Sequence, residues 1–140
     1  MENTPEALRD RTKDYAIRII HLFRALPARN KAAQIIGTQL LRSGTAIGAN
    51  YRAAGRGRSR AEFAAKLGIV VEEADETIYW IELLPETDGV KKERLTKLLQ
   101  EAKELAAFSP QPSVPPEAGN IHAVAKERRR QARNSGTLQI

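Results

Sequence analysis

Apolar residues recur at spacings of three, four and seven along most of the chain, which is the pattern of helices that bury one face. The first predicted helix begins after Thr4, with Pro5 at its first position, where the missing N–H of proline costs nothing. Pro27 cannot continue a helix, so this helix is predicted to end at about Leu26. Its apolar stripe consists of Leu8, Tyr15, Ile19, Leu22 and Leu26.

The second predicted helix runs from about Ala28 to Ala54, and its core residues fall within a narrow arc of the helix. Gly37, Gly44 and Gly48 lie beside this arc. Each of these glycines costs about 1 kcal/mol of helix propensity, and their small size is expected to let a neighbouring helix approach closely. The core arc consists of Ala33, Ile36, Leu40, Ile47, Tyr51 and Ala54.

A capping box at Ser59-Arg60-Ala61-Glu62 marks the start of the third predicted helix, after a glycine-rich turn at residues 55–58. In such a box, Ser59 and Glu62 each accept a hydrogen bond from the other's backbone N–H. Pro85 and Asp88-Gly89 are expected to end this helix. Its predicted core stripe consists of Phe63, Leu67, Val70, Ala74, Ile78 and Ile81.

A fourth helix is predicted up to about Phe108, and short connections between long helices favour antiparallel neighbours. The predicted fold is therefore all-α, an antiparallel up-down-up-down four-helix bundle over residues 1–108. Residues 109–140 are rich in proline and then in basic side chains, so we predict a flexible C-terminal tail, with a short helix near 123–133 left open. The apolar face of the fourth helix consists of Leu95, Leu98, Leu99, Ala102, Leu105 and Ala106.

Charge is segregated along the chain. The formal net charge is +6 and the sequence pI is about 9.9, which makes a polyanion the first partner to consider. No acidic residue occurs between Asp14 and Glu62, whereas nine lysines and arginines do. The N-terminus is polar and no stretch approaches the roughly 20 apolar residues of a membrane span, so we expect a cytoplasmic protein with no membrane partner.

The basic face of the second helix is the main candidate binding surface. Lys31, Arg42, Arg52 and Arg56 project within a limited sector opposite the core arc, over about 37 Å at 1.5 Å rise per residue. The alternatives are an ordinary solvated face and one half of an ion pair between subunits. The full predicted nucleic-acid-binding set is Lys31, Arg42, Arg52, Arg56, Arg58, Arg60, Arg128, Arg129 and Arg130.

The third helix carries an apolar strip edged with carboxylates, which is typical of a surface that meets a partner. We predict that this strip is a subunit interface. The alternative is that Trp80 seals one end of the bundle. The predicted interface residues are Ile69, Glu73, Glu76, Trp80 and Leu83.

Catalytic and metal-binding chemistry are not indicated by the residue content. The chain has no cysteine, and neither His21 nor His122 has the Glu-x-x-His context of a di-iron bundle. Ser43 and Ser59 have no plausible base nearby in sequence. We therefore expect no catalytic residue, no metal, no cofactor and no enzymatic activity.

Three blocks of sequence carry a family resemblance. They are Leu41-Arg42-Ser43-Gly44-Thr45-Ala46-Ile47-Gly48-Ala49-Asn50-Tyr51-Arg52, then Arg58-Ser59-Arg60-Ala61-Glu62-Phe63, and finally Glu72-Glu73-Ala74-Asp75-Glu76-Thr77-Ile78-Tyr79-Trp80-Ile81-Glu82-Leu83. Together these blocks resemble the four helix bundle proteins encoded in bacterial 23S rRNA intervening sequences.

The resemblance implies an antiparallel bundle that assembles into a ring-shaped homopentamer, with nucleic-acid binding suspected and no established catalysis. A more distant similarity to the accessory variability determinant of diversity-generating retroelements implies a reverse transcriptase, or another protein, as a possible partner. Members of the family commonly carry a glutamate near Ala53 or Ala54. The alanines in this chain remove a negative charge from the basic segment.

Two functions follow as hypotheses. The first is a non-catalytic oligomer that binds RNA or DNA backbones through the basic helix, since arginines dominate and stacking aromatic residues are few. The alternative is a structural or adaptor homo-oligomer that binds acidic protein partners.

Overall fold

The computed structural model describes residues 4–108 and 129–130. Four α-helices pack in antiparallel order, each against the next along the chain, and α1 and α4 meet to close the bundle. The all-α up-down-up-down prediction is thus confirmed. No helix in the described ranges is both long and apolar enough to cross a membrane. The helices are α1 (Pro5–Ala25), α2 (Lys31–Gly55), α3 (Arg60–Leu83) and α4 (Lys92–Ala106), with a short 3₁₀ helix (Leu84–Thr87) after α3.

Side-chain caps set the starts of α1 and α2. The Thr4 hydroxyl accepts a hydrogen bond from the backbone N–H of Ala7 at 3.1 Å, as the sequence predicts. The carboxamide oxygen of Asn30 caps α2 by accepting from the N–H of Ala33 at 3.1 Å. Helix α2 consequently begins at Lys31, three residues later than expected, because Asn30 satisfies one of the orphan donors there.

Of the two hydrogen bonds predicted for the capping box before α3, the one to Ser59 is confirmed and the one to Glu62 has a different donor. Ser59 Oγ accepts from the N–H of Glu62 at 3.1 Å. The Glu62 carboxylate, however, accepts from the backbone N–H of Arg58 at 2.7 Å, one residue before the position that the motif predicts. The Glu62 carboxylate therefore stabilises the turn before α3.

Glycines on α2 allow α1 to approach closely, as predicted. A Cβ atom added at Gly44 would lie 2.9 Å from Ile19 Cγ1, and one at Gly48 would lie 3.4 Å from the carbonyl carbon of Thr12. Both distances are at or below ordinary van der Waals contact. The bare backbone of α2 is thus the surface on which α1 packs.

Two buried hydroxyl contacts fix how the helices align. Thr77 and Ser43 share a hydrogen bond of 2.9 Å between α3 and α2. The hydroxyl of Tyr15 donates to the carbonyl of Leu98 at 3.0 Å, joining α1 to α4. Most of the predicted stripe residues are buried. The apolar cluster between the helices consists of Tyr15, Ile19, Leu26, Ala33, Leu40, Ile47, Val70, Ala74, Ile81, Leu84, Leu95, Leu98, Ala102 and Leu105.

Phe63 is an exception to the predicted core, since 38% of its surface remains exposed. It lies in the first turn of α3, which has 24 residues, whereas the antiparallel α4 has only 15. Within the described residues, α4 ends before it could cover that turn. The shorter fourth helix leaves the ends of α2 and α3 projecting beyond it.

Candidate nucleic-acid interface

A cavity of about 780 Å³ lies at the projecting end of the bundle, where α2 ends, α3 begins and the first turns of α1 lie alongside. Arginines are the commonest residues in its lining, and they come from α1, α2, the turn and α3. The lining arginines are Arg9, Arg52, Arg56, Arg58 and Arg60. We call this site the arginine cavity.

The turn between α2 and α3 forms one wall of the cavity. The N–H of Gly57 donates to the carbonyl of Ala54 at 3.0 Å, which closes the end of α2. A Cβ atom at Gly57 would lie 3.1 Å from both the Ala54 carbonyl oxygen and the backbone nitrogen of Phe63. This glycine therefore lets the chain reverse tightly and places the flanking Arg56 and Arg58 at the same end of the bundle.

The arginine cavity carries an excess of positive charge in the described part of the chain, although Glu62 accepts from the N–H of Arg58 and Glu6 acts on Tyr51. All five arginines are exposed, and none of them forms an ion pair with another described residue. No acidic side chain is among the described residues that line the cavity. The N-terminal end of α3 adds a partial positive charge. An excess of positive charge of this kind is what an anion-binding site requires.

Two aromatic rings complete the cavity wall. Tyr51 is half-buried, and its ring meets that of Phe108 edge-on at a centroid distance of 6.5 Å. Burial raises the pKa of the Tyr51 hydroxyl above its usual value of 10.0, while Arg9 lowers it and Glu6 raises it. Phe63, in contrast, is exposed and also lines the cavity.

The structure brings some of the predicted basic residues together and separates others. Arg52, Arg56, Arg58 and Arg60 all line the cavity. Lys31 is exposed at the other end of α2, 21 residues before Arg52, which corresponds to about 32 Å along the helix axis. The single continuous basic face expected from the helical pattern is therefore divided along its length.

Arg42 forms its ion pairs within the chain, on α3, whereas one predicted alternative was an ion pair between subunits. Its guanidinium lies 3.4 Å from Glu73 and forms a shorter bond with Glu76, both on α3. The hydrogen bond from Arg42 is the main reason that the pKa of Glu76 lies below its usual value. Burial raises the pKa of Glu73 in spite of Arg42, so Glu76 is the principal partner.

The predicted subunit strip on α3 is likewise partly used within the chain. The indole N–H of Trp80 donates to Glu76 at 3.3 Å, and the Trp80 ring packs partly against the core. Ile69 and Leu83 are half-buried. Tyr79 is the exposed residue beside this strip, with 54% of its surface accessible. A subunit contact at the strip stays a prediction.

The basic tail is described at only two positions. Arg129 and Arg130 are exposed, and Arg129 Nη2 lies 3.6 Å from a carboxylate oxygen of Glu72. Arg128, His122 and the proline-rich stretch predicted at 109–116 lie outside the described residues. In the ranges 4–108 and 129–130, no group of three or more His, Cys, Asp or Glu side chains could hold a metal ion.

Arg9, Tyr51 and Phe63 line the cavity but were not among the predicted site residues. The signal for Arg9 was available, because an antiparallel α1 must place its N-terminal turns beside the C-terminal turns of α2. Tyr51 and Phe63 were assigned to the core from their helical spacing. Spacing alone cannot show that a core stripe continues past the last covering helix.

Fold and site together define a basic antiparallel four-helix bundle with an arginine-lined cavity at one end. Residues 7–109 match the family described as 23S rRNA-intervening sequence protein, and the chain belongs to that family. It is also similar to a crystal structure from Bacteroides thetaiotaomicron, that of a protein with unknown function from the S23 ribosomal protein family. The two chains share 36% identity, with a TM-score of 0.67, over 73% of this chain and 90% of the other. No curated protein matches the sequence.

Proposed function

We propose that this protein is a non-catalytic homo-oligomer that binds the phosphate backbone of RNA or DNA in the arginine cavity. The observation that carries the proposal is the convergence of five exposed arginines, without ion-pair partners among the described residues, on one cavity. Guanidinium groups match phosphate oxygens in geometry as well as charge, since they donate two parallel hydrogen bonds.

RNA is the first ligand to consider. The family is named for intervening sequences of 23S rRNA, and the similar crystal structure is assigned to a ribosomal protein family. Arginine stays protonated at every physiological pH and so does not exchange protons with a substrate. A cavity whose commonest lining residues are arginines supports binding rather than acid–base catalysis.

Self-association is the second part of the proposal. Several large apolar side chains are exposed on the single chain, among them Ile35, with 56% of its surface accessible, and Tyr79. Covering such side chains with further copies of the chain would remove apolar surface from water. The homopentamer implied by the family resemblance is one way to do so.

The test compares two double variants that remove the same charge at opposite ends of the bundle. Arg56→Gln with Arg58→Gln alters the cavity, whereas Arg29→Gln with Lys31→Gln alters exposed residues at the far end of α2. Each single-strand phosphate contact contributes about 0.7 to the slope of log affinity against log salt, so losing two lowers the slope by about 1.4. At about 0.1 M salt this corresponds to roughly 25-fold weaker binding.

Fluorescence anisotropy with unrelated RNA and DNA oligonucleotides measures both effects. The far-end variant is expected to bind nearly as well as the parent, and light scattering should give the same oligomer size for all three proteins. Equal losses in the two variants would mean that only total charge matters and would remove the cavity from the proposal. If the parent protein binds no nucleic acid at about 50 mM salt, the nucleic-acid proposal fails. The alternative, an adaptor that binds acidic protein partners, then takes its place.

A further inference from the structure

The arginine cavity has a shape that suits an unpaired nucleotide better than a duplex. We infer that it selects single-stranded nucleic acid, with one base against the exposed ring of Phe63 and the flanking phosphates held by arginines. This inference rests on the proposed function and specifies the form of its ligand.

Size is the first argument. The cavity volume of about 780 Å³ lies within the range of pockets that enclose small organic ligands, roughly 300–1,000 Å³. A double helix presents its phosphates on a convex surface wider than such a pocket, with its bases stacked inside. It could touch the arginines at the rim, but it could not enter the cavity.

The placement of Phe63 is the second argument. An aromatic side chain at a core-stripe position is expected to be covered, yet 38% of Phe63 is exposed, and it lines the cavity. Its backbone lies beside the tight turn, since a Cβ atom added at Gly57 would come within 3.1 Å of the Phe63 nitrogen. An accessible ring in a cavity lined by arginines is the combination with which proteins bind single strands, because bases stack on the ring while cations hold the backbone.

The third argument concerns the other ring. Tyr51 already has an aromatic neighbour in Phe108 and is half-buried, so it supports the wall of the cavity. Arg9 reaches the cavity from α1, opposite the turn that carries Arg56 and Arg58. Phosphates on either side of a bound base would therefore both find a guanidinium.

The experiment measures binding of oligouridylate of about ten nucleotides and of an RNA duplex of equal length, at one salt concentration. Uridine stacks weakly on its neighbours, so its bases are free to enter a pocket. The parent protein is expected to prefer the single strand. Phe63→Leu keeps an apolar side chain but removes the ring, and single-strand affinity should fall at least about fivefold, the lower end of the effect of losing one stacked base.

Four readouts separate stacking from a structural effect. Phe63→Leu should leave the salt slope and the duplex affinity unchanged, and Phe63→Tyr should restore single-strand binding. A 2-aminopurine base in the oligonucleotide should lose fluorescence on binding the parent protein and regain it with the leucine variant.

The outcomes distinguish this inference from the proposed function. If Arg56→Gln with Arg58→Gln weakens binding of both ligands while Phe63→Leu changes neither, the proposed function stands and the single-strand selectivity is wrong. Equal weakening of single strand and duplex by Phe63→Leu would also overturn the selectivity, since it would indicate a general disturbance of the turn.

Discussion

Replacing Tyr15 by phenylalanine is expected to destabilise the bundle at neutral pH, by an amount that disappears in alkaline solution. The Tyr15 side chain is fully buried, and its hydroxyl donates a 3.0 Å hydrogen bond to the carbonyl of Leu98. A buried hydrogen bond contributes about 0.5–1.5 kcal/mol net. Because the substitution removes only the hydroxyl, we expect a loss of about 1 kcal/mol at pH 7.

The alkaline effect comes from proton linkage. Burial raises the pKa of Tyr15 well above its usual value of 10.0, with Arg18 opposing the shift and Glu101 adding to it. Above pH 10 the unfolded chain loses this proton while the folded chain keeps it, so the free energy of unfolding falls as pH rises. At pH 11 the loss is about RT ln 11, or about 1.4 kcal/mol, and the phenylalanine variant does not suffer it. Parent and variant should therefore be equally stable between about pH 10.5 and 11.

Urea denaturation followed by circular dichroism at several pH values measures this difference. Other titrating groups are present in both proteins and cancel in the comparison. Tyr79→Phe serves as a control, since it removes an exposed hydroxyl and should change the urea midpoint little at pH 7. A gap that stays near 1 kcal/mol from pH 7 to 11 would show that the Tyr15 hydroxyl ionises as readily in the folded protein as in the unfolded one.

Two further substitutions test the turn and the internal ion pair. Gly57→Ala should lower stability by about 1 kcal/mol, because its methyl group would press on the backbone of Phe63. Gly55→Ala has open space for the added methyl group, so it should be neutral or stabilising by up to about 1 kcal/mol. Thermal melts that rank the two variants in the reverse order would contradict the geometry of the turn. Arg42→Ala should cost less than about 1 kcal/mol, since the pair is largely exposed, and it should raise the pKa of Glu76 towards 4.5. A carboxyl whose pKa is lowered in the folded state stabilises the fold above its ordinary pKa and loses that effect as pH falls. The variant should therefore lose less stability than the parent protein below about pH 5. An unchanged Glu76 titration by NMR would refute the pairing.

Much of the fold could be predicted from the sequence, because its signals are local. Thr4 and Ser59 cap helices through atoms within three residues of themselves. The apolar stripes fix which face of each helix is buried. Gly44 and Gly48 predicted a close helix approach, and that approach occurs against α1.

The candidate site could be predicted only in part, because a helical wheel shows direction around the axis and not position along the bundle. Lys31 and Arg56 share a direction but lie about 37 Å apart along α2. Arg42 lies between them, and whether Glu76 can reach it depends on the position of α3 along α2. That register is fixed by side-chain packing between helices, which the spacing of apolar residues does not encode.

Helix packing and the arginine cavity depend on each other through α1. At Gly48 the two helices are close enough that even an added Cβ atom would lie 3.4 Å from the backbone of Thr12. Arg9 lies three residues earlier on the same rigid helix, so the separation of α1 from α2 sets how far its guanidinium extends over the cavity. A larger residue at position 48 would move the Arg9 end of α1 outwards, while leaving the arginines of the turn in place. The small residues that stabilise the α1–α2 contact are thus also what brings a fifth positive charge to the cavity.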